Sequence, residues 1–205
     1  MDYFTIASIV TDELVVRRSK FIATLVPILT HKQAEEHLAK IKSNYTDATH
    51  NCYGYILVPP LCEFRFSDDR EPQNTAGKPI LSVLQASSLN GVLAVVTRYF
   101  GGVKLGTGGL AKAYRLSVEA ALAKANIIKM VPSFIATIVL DYSASEQFVK
   151  VMATKIKVLD TQYGDMVTLK IAFAKSDAEQ VGELTASIVQ NKDSLHLQGE
   201  QYFSY

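Results

Sequence analysis

Hydrophobic positions along the chain keep changing period, and each change marks an element. Apolar stretches at 3–9 and 13–26 predict two strands, with Thr11 and Asp12 turning between them. In HKQAEEHLAKIK, residues 31–42, Ala34, Leu38 and Ile41 recur at helical spacing, and Thr30 is a good N-cap. NCYGYILV, 51–58, predicts a strand stopped by Pro59 and Pro60, and the alternating LCEFRFS, 61–67, predicts its return. SDDREPQNTAGKP, 67–79, is a loop rich in turn formers. KPILSVLQAS, 78–87, predicts a short helix with Pro79 near its first turn, where a missing N–H costs little. GVLAVVTRYF, 91–100, is rich in β-branched residues and predicts a buried strand. After a glycine-rich stretch, Thr107 can cap a helix to about 125, with Leu110, Ala113, Tyr114, Val118, Ala121 and Ala125 on its inner face.

Beyond Asn126 the rhythm becomes regular. Val131-Pro132-Ser133 is read as a domain joint. A strand is predicted at 134–142, a helix at 144–153, strands at 155–162 and 166–174 around the turn 163–165, a helix at 177–190 started by Ser176, and a strand at 194–204. That order, β-α-β-β-α-β, is the split βαβ or ferredoxin-like one. The expected class is α+β with two domains, 1–130 and 134–205.

Totals add little to this. The 205 residues suffice for one large or two small domains, and 48% apolar with 20% charged is ordinary for a folded chain. No apolar run reaches the roughly 18–20 residues of a bilayer span, and no signal peptide is evident, so a cytoplasmic protein without membrane contact is expected. The charge distribution says more. Residues 1–130 carry 15 basic and 11 acidic groups, residues 131–205 carry 6 and 9. Between Glu71 and Glu119 there is no acidic residue, yet Lys78, Arg98, Lys104, Lys112 and Arg115 lie there. A local positive field is expected on a nearly neutral molecule.

Inside that stretch stands RYFGGVKLGTGGL, residues 98–110, with five of the eleven glycines: Gly101, Gly102, Gly106, Gly108 and Gly109. A strand, a glycine-rich turn and a helix N-terminus together let backbone N–H groups converge without an obstructing Cβ. The unpaired first N–H groups of the helix carry positive potential, so anions settle there. Arg98 and Lys104 would add charge. Tight packing of helix on strand is the alternative use of such glycines. GTGGLA, 106–111, formally matches a dinucleotide fingerprint, but six residues separate Phe100 from Thr107 and no acid follows at the ribose position. Lys104 is misplaced for a nucleotide-hydrolase phosphate loop.

The loop at 67–79 offers other chemistry. Asp68, Asp69 and Glu71 converging on a turn could hold Mg²⁺ or act as acid and base. They could equally cap turns or pair with the basic loop. His50 and Cys52 together suggest a thiol site, against a buried Cys and a hydrogen-bonded His. Cys52 and Cys62 are expected as reduced thiols. His31, His37, His50 and His196 are scattered, and neither structural zinc nor any cofactor is expected.

Taken together, THNCYGY, SDDREP, TAGKPIL and VVTRYFGGVKLGTGGL resemble the YigZ/IMPACT family over essentially the full chain. The resemblance implies an amino-terminal domain like the second domain of ribosomal protein S5 and a carboxy-terminal domain like the last domain of elongation factor G. Both likenesses point toward RNA and the ribosome; eukaryotic relatives are translational regulators that restrain a stress kinase, a role that does not carry over, and what does is the IMPACT-domain surface. The shared motif falls on His50, Asn51, Asp68, Asp69, Glu71, Thr75, Gly77, Arg98, Tyr99, Gly101, Gly102, Lys104, Gly106, Gly108 and Gly109. The family usually has glycine where Arg70 stands and Ser-Gly where Gln73 and Asn74 stand, changes that stiffen the acidic loop.

The expected function is a non-catalytic protein contacting RNA, the ribosome or the translation machinery. Arg98, Lys104, Thr107 and Lys78 would meet phosphate beside the glycine amides, and Tyr99 would stack on a base. The alternatives are a Mg²⁺-dependent enzyme on a phosphorylated or nucleotide substrate, or an adaptor that binds only protein.

Overall fold

The computed structural model describes residues 1–189 and 195–205. It is mixed α/β and divides into two compact units, Tyr3–Lys129 and Met130–Tyr205 with Met1–Asp2.

In the first unit a short strand β1 (Tyr3–Ile6) precedes β2 (Val10–Val16) and β3 (Ser19–Pro27). Helix α1 (His31–Asn44), strands β4 (His50–Ile56) and β5 (Phe64–Ser67), helix α2 (Gly77–Ala86), strand β6 (Val92–Tyr99) and helix α3 (Gly106–Leu122) follow. The sheet order is β2-β3-β6-β4-β5, antiparallel throughout. Successive strand residues face opposite sides, so the central β6 serves two cores. Val92, Ala94 and Val96 pack with α2 and α3 residues such as Leu84 and Tyr114. Leu93 and Val95 pack with Ala34 and Ile41 of α1. Burial on both faces is why this strand reads as one apolar run.

One sequence expectation fails at the start of the chain. Thr11 and Asp12 do not turn; they lie inside β2, paired with Thr24 and Ala23 of β3. The turn is Arg17-Arg18, with φ of 45° and 68°. A two-residue hairpin needs positive φ at both central positions, usually supplied by Asn or Gly, and two arginines give no such signal. Helix α1 starts as its sequence indicates, with Thr30 Oγ1 accepting from the Gln33 N–H at 3.2 Å.

Strand β7 (Ile127–Leu140) includes 131–133, the residues read as the joint, and Pro132 sits opposite Tyr202. The second unit continues with α4 (Tyr142–Met152), β8 (Ile156–Tyr163), β9 (Val167–Ala174), a 3-10 turn, α5 (Ala178–Val189) and β10 (Leu195–Phe203). Asp141 caps α4, accepting from the Ala144 N–H at 2.7 Å. Its strands run in the order β10-β7-β9-β8, all antiparallel. Ala136, Ile138 and Leu140 pack with Phe148, Met152 and Val181 of the two helices. The predicted end of the last helix at 190 and start of the last strand at 194 lie outside the described residues. Among the described residues no helix is long and apolar enough to cross a membrane.

Candidate anion cleft

The acidic loop folds on itself. The carboxylate of Asp68 accepts N–H groups from Asn74 at 2.8 Å, Ala76 at 2.9 Å and Gly77 at 2.8 Å, thereby capping the start of α2. Asp69 accepts the Asn51 N–H at 2.7 Å, and the Thr75 hydroxyl donates to the Pro72 carbonyl at 2.6 Å. A Cβ at Gly77 would lie 2.7 Å from the Ser67 backbone, so only glycine lets the loop close. Asp69, Arg70 and Asn74 take positive φ of 40°, 71° and 62°. Two of these are positions where the family resemblance implies glycine. Among the described residues no group of three or more His, Cys, Asp or Glu side chains could hold a metal ion.

Glu71 points inward. It is buried, and its carboxylate accepts from the Arg98 guanidinium and from the Tyr114 hydroxyl at 2.8 Å. Arg98 is only 4% exposed, lies 5.4 Å from the Phe21 ring centroid and 5.5 Å from that of Phe100, and points a second nitrogen at Ser19 Oγ, 3.4 Å away. The expectation of Arg98 as an open phosphate partner therefore changes: most of its charge is met by Glu71 inside the protein.

Beside it, Cys52 is fully buried. Its S–H donates to the Asp68 carbonyl at 3.0 Å, and burial pushes the thiol up to about 12. Burial likewise raises Tyr114, whose hydroxyl keeps its proton. A thiol held neutral is no nucleophile. The His50 Nδ1–H donates to the Asp69 carbonyl at 2.8 Å, which turns Nε2 toward Glu71 at 3.8 Å, beyond hydrogen-bonding distance.

The glycine stretch behaves in the opposite way. Gly102, Lys104, Gly106, Thr107 and Gly108 are exposed, and a Cβ at Gly102, Gly106 or Gly108 would meet nothing within 4 Å. Gly102 and Gly106 use glycine's freedom, with φ of 81° and 73°. Gly101 answers a different need: a Cβ there would lie 2.0 Å from the Arg18 backbone. Its N–H donates to Ser19 Oγ at 3.2 Å. Helix α3 begins one residue before Thr107, with Leu105 at the capping position and no side-chain cap. Thr107 thus sits in the first turn rather than capping it. The helix start is exposed, and among the described residues no side chain caps its first N–H groups.

Both loops border one cleft of about 460 Å³. His50, Glu71 and Arg98 line it from the acidic side, and Lys104, Gly106 and Thr107 from the glycine side. Asn51, Asp68, Asp69, Thr75 and Gly77 lie behind it as supports. Tyr99 and Lys78, expected at the site, do not line it; the Tyr99 hydroxyl donates to Asp47 at 2.9 Å, and that bond raises its pKa. Phe100 takes the place foreseen for Tyr99. It is 46% exposed on the cleft wall, with its N–H held by Thr49 Oγ1 at 3.1 Å. Arg17 and Arg18 were also missed. Both are exposed, and the contact with Gly101 brings their turn beside the glycine loop. Nothing local in the sequence links a hairpin near the start to residue 101.

The Impact N-terminal domain family matches residues 17–122, over half of the chain and the whole of this site. The YigZ protein of Escherichia coli (strain K12) is 31% identical over 186 residues, 89% of this chain and 90% of the relative. The chain belongs to the IMPACT family. YvyE of Bacillus subtilis (strain 168), an IMPACT family member, is 42% identical over 127 residues, 62% of this chain, and the match spans 58% of that relative's length. A crystal structure of a hypothetical protein is similar over 97% of both chains, at 29% identity and TM-score 0.66.

Proposed function

We propose that this IMPACT-family chain is a non-catalytic protein that contacts RNA, free or in the translation machinery, through the exposed glycine loop. The observation that carries this reading is the bare start of α3, without a side-chain cap, with exposed Lys104 two residues before it and the exposed Arg17-Arg18 turn packed against Gly101. Backbone donors and helix potential favour negative charge there, and three exposed cationic residues on the same loops add to the attraction for phosphates. Family membership supports a role in translation.

The finer fold assignments belong to the same proposal. The strand order β10-β7-β9-β8 with both helices on one face supports a ferredoxin-like carboxy-terminal domain at 134–205. The amino-terminal domain, 1–130, then corresponds to the part likened to ribosomal protein S5. The acidic loop supplies support rather than catalysis, because the carboxylates of Asp68, Asp69 and Glu71 are all engaged by protein donors.

RNA affinity measured against salt concentration tests this. Binding should weaken as salt rises, and Lys104→Glu or Arg18→Glu should each weaken it for all sequences and flatten the salt slope by about one. Affinity unchanged by both substitutions would overturn the reading.

A further inference from the structure

We propose that the cleft seats a nucleoside bearing a terminal phosphate monoester, with the phosphate at Gly106–Thr107 and the base against Phe100. The inference rests on the anion-binding reading above and names its ligand.

The cleft gathers positive potential and backbone donors at one end and holds a single, already engaged carboxylate. Helix α3 starts there without a side-chain cap. Arg98 lines the cleft, is 4% exposed, and its buried Nε has no hydrogen-bond partner among the described residues. His50 lines the cleft with Nε2 3.8 Å from Glu71, and with its Nδ1–H given to Asp69 that nitrogen is an acceptor in the neutral ring, open to a hydroxyl of the ligand. Lys104 stands on the rim. The one carboxylate present, Glu71, already accepts from Arg98 and Tyr114. A group that brings several acceptor oxygens and close to two negative charges matches that surplus, and a phosphate monoester is such a group at neutral pH. A mid-strand phosphodiester brings one charge and two outgoing chains, which suits an open groove better than a cleft with a floor of Arg98, Glu71 and His50.

The remaining walls are apolar: Phe100, Leu105, Leu110 and Pro72. Arg98 engages the Phe100 ring at 5.5 Å, yet 46% of the residue stays exposed, which leaves surface for a flat base. A volume of about 460 Å³ lies in the range of small-ligand clefts. This chemistry has two sources, a free nucleoside 5′-monophosphate and the 5′-phosphorylated end of an RNA strand.

Calorimetric titration of the full chain separates them, using AMP, adenosine, and one short RNA prepared with a 5′-phosphate and with a 5′-hydroxyl. AMP should bind about tenfold or more tightly than adenosine if a charge-assisted set of bonds holds its phosphate. A like advantage for the 5′-phosphorylated strand assigns the RNA end as a source; AMP binding without it assigns the free nucleotide. No AMP binding together with equal affinity for the two strands overturns the proposal and leaves salt-dependent RNA binding standing. AMP binding with no RNA binding at all does the reverse.

Gly108→Asp supplies a folding-safe control. A Cβ fits there, and an acidic residue in the first turn favours the helix, so the melting temperature should hold or rise while AMP affinity falls about tenfold or more. Phe100→Ala should weaken AMP about tenfold and leave inorganic phosphate unaffected. AMP affinity unchanged in both variants overturns the proposal.

Discussion

The two loops of the cleft use charge in opposite ways. The acidic loop carries three carboxylates and offers almost none of them to solvent chemistry. Asp68 caps α2, Asp69 holds the edge of β4, and Glu71 neutralises a buried arginine. The glycine loop carries one lysine and offers nearly everything. Gly102, Gly106 and Gly108 meet no neighbours, its helix lacks a side-chain cap, and its lysine is exposed. Charge counted along a sequence is therefore a poor guide to charge available for binding. What decides is whether backbone donors nearby have already claimed it.

The comparison breaks most decisively at Glu71. Glu71→Ala leaves Arg98 buried and unpaired, and should cost about 3–5 kcal/mol of stability in urea unfolding. A loss below about 1 kcal/mol, the range of an exposed pair, would mean that the acidic loop is not internal. The next test is alkaline. Cys52 is raised from its ordinary thiol range to about 12, so between roughly pH 9 and 12 the folded chain holds a proton that the unfolded chain releases. The contribution of Cys52 to stability should be constant below that window and fall within it by up to about 1.4 kcal/mol per pH unit. Cys52→Ala should shallow the fall. At neutral pH a thiol reagent should label the exposed Cys62 and spare Cys52 until the chain unfolds.

Asp68→Asn should follow at about 1–2 kcal/mol, since a neutral amide oxygen is a weaker acceptor for three N–H groups. Lys104→Ala, on the open side, should change stability by no more than about 0.5 kcal/mol. An effect of similar size sharpens the contrast within the acidic loop. Arg70 holds φ at 71°, a conformation costing a side-chain-bearing residue about 1–2 kcal/mol. Arg70→Gly relieves that cost but frees the unfolded chain, so a net gain of about 0.5 kcal/mol is expected by denaturation. A loss instead would give the Arg70 side chain a stabilising role of its own.

Much of the secondary structure was legible because it rests on local rules. Thr30 caps α1, and the apolar run of β6 reports burial on both faces. The hairpin at Arg17-Arg18 was not legible, because arginines took the positive φ that Asn or Gly usually mark. At the site, the glycine loop and its one-signed neighbourhood could be read directly. The exchange of Tyr99 for Phe100 could not. Neighbours at a strand's end face opposite ways, and only the pairing of β6 with β4, in which Arg98 lies opposite His50, fixes which of them reaches the cleft.

The amino-acid sequence by itself determined the order of elements, the family motifs, the concentration of flexible backbone at 101–109 and the sign of the charge around it. Those follow from period, composition and the special geometry of glycine, which act within a few residues. Tertiary structure alone decided that Arg98 turns inward to Glu71, that Arg17 and Arg18 stand beside Gly101, and that two loops far apart in the chain border one cleft. Burial and proximity across a sheet come from strand pairing and packing, and no local pattern encodes which donor a distant acceptor will meet.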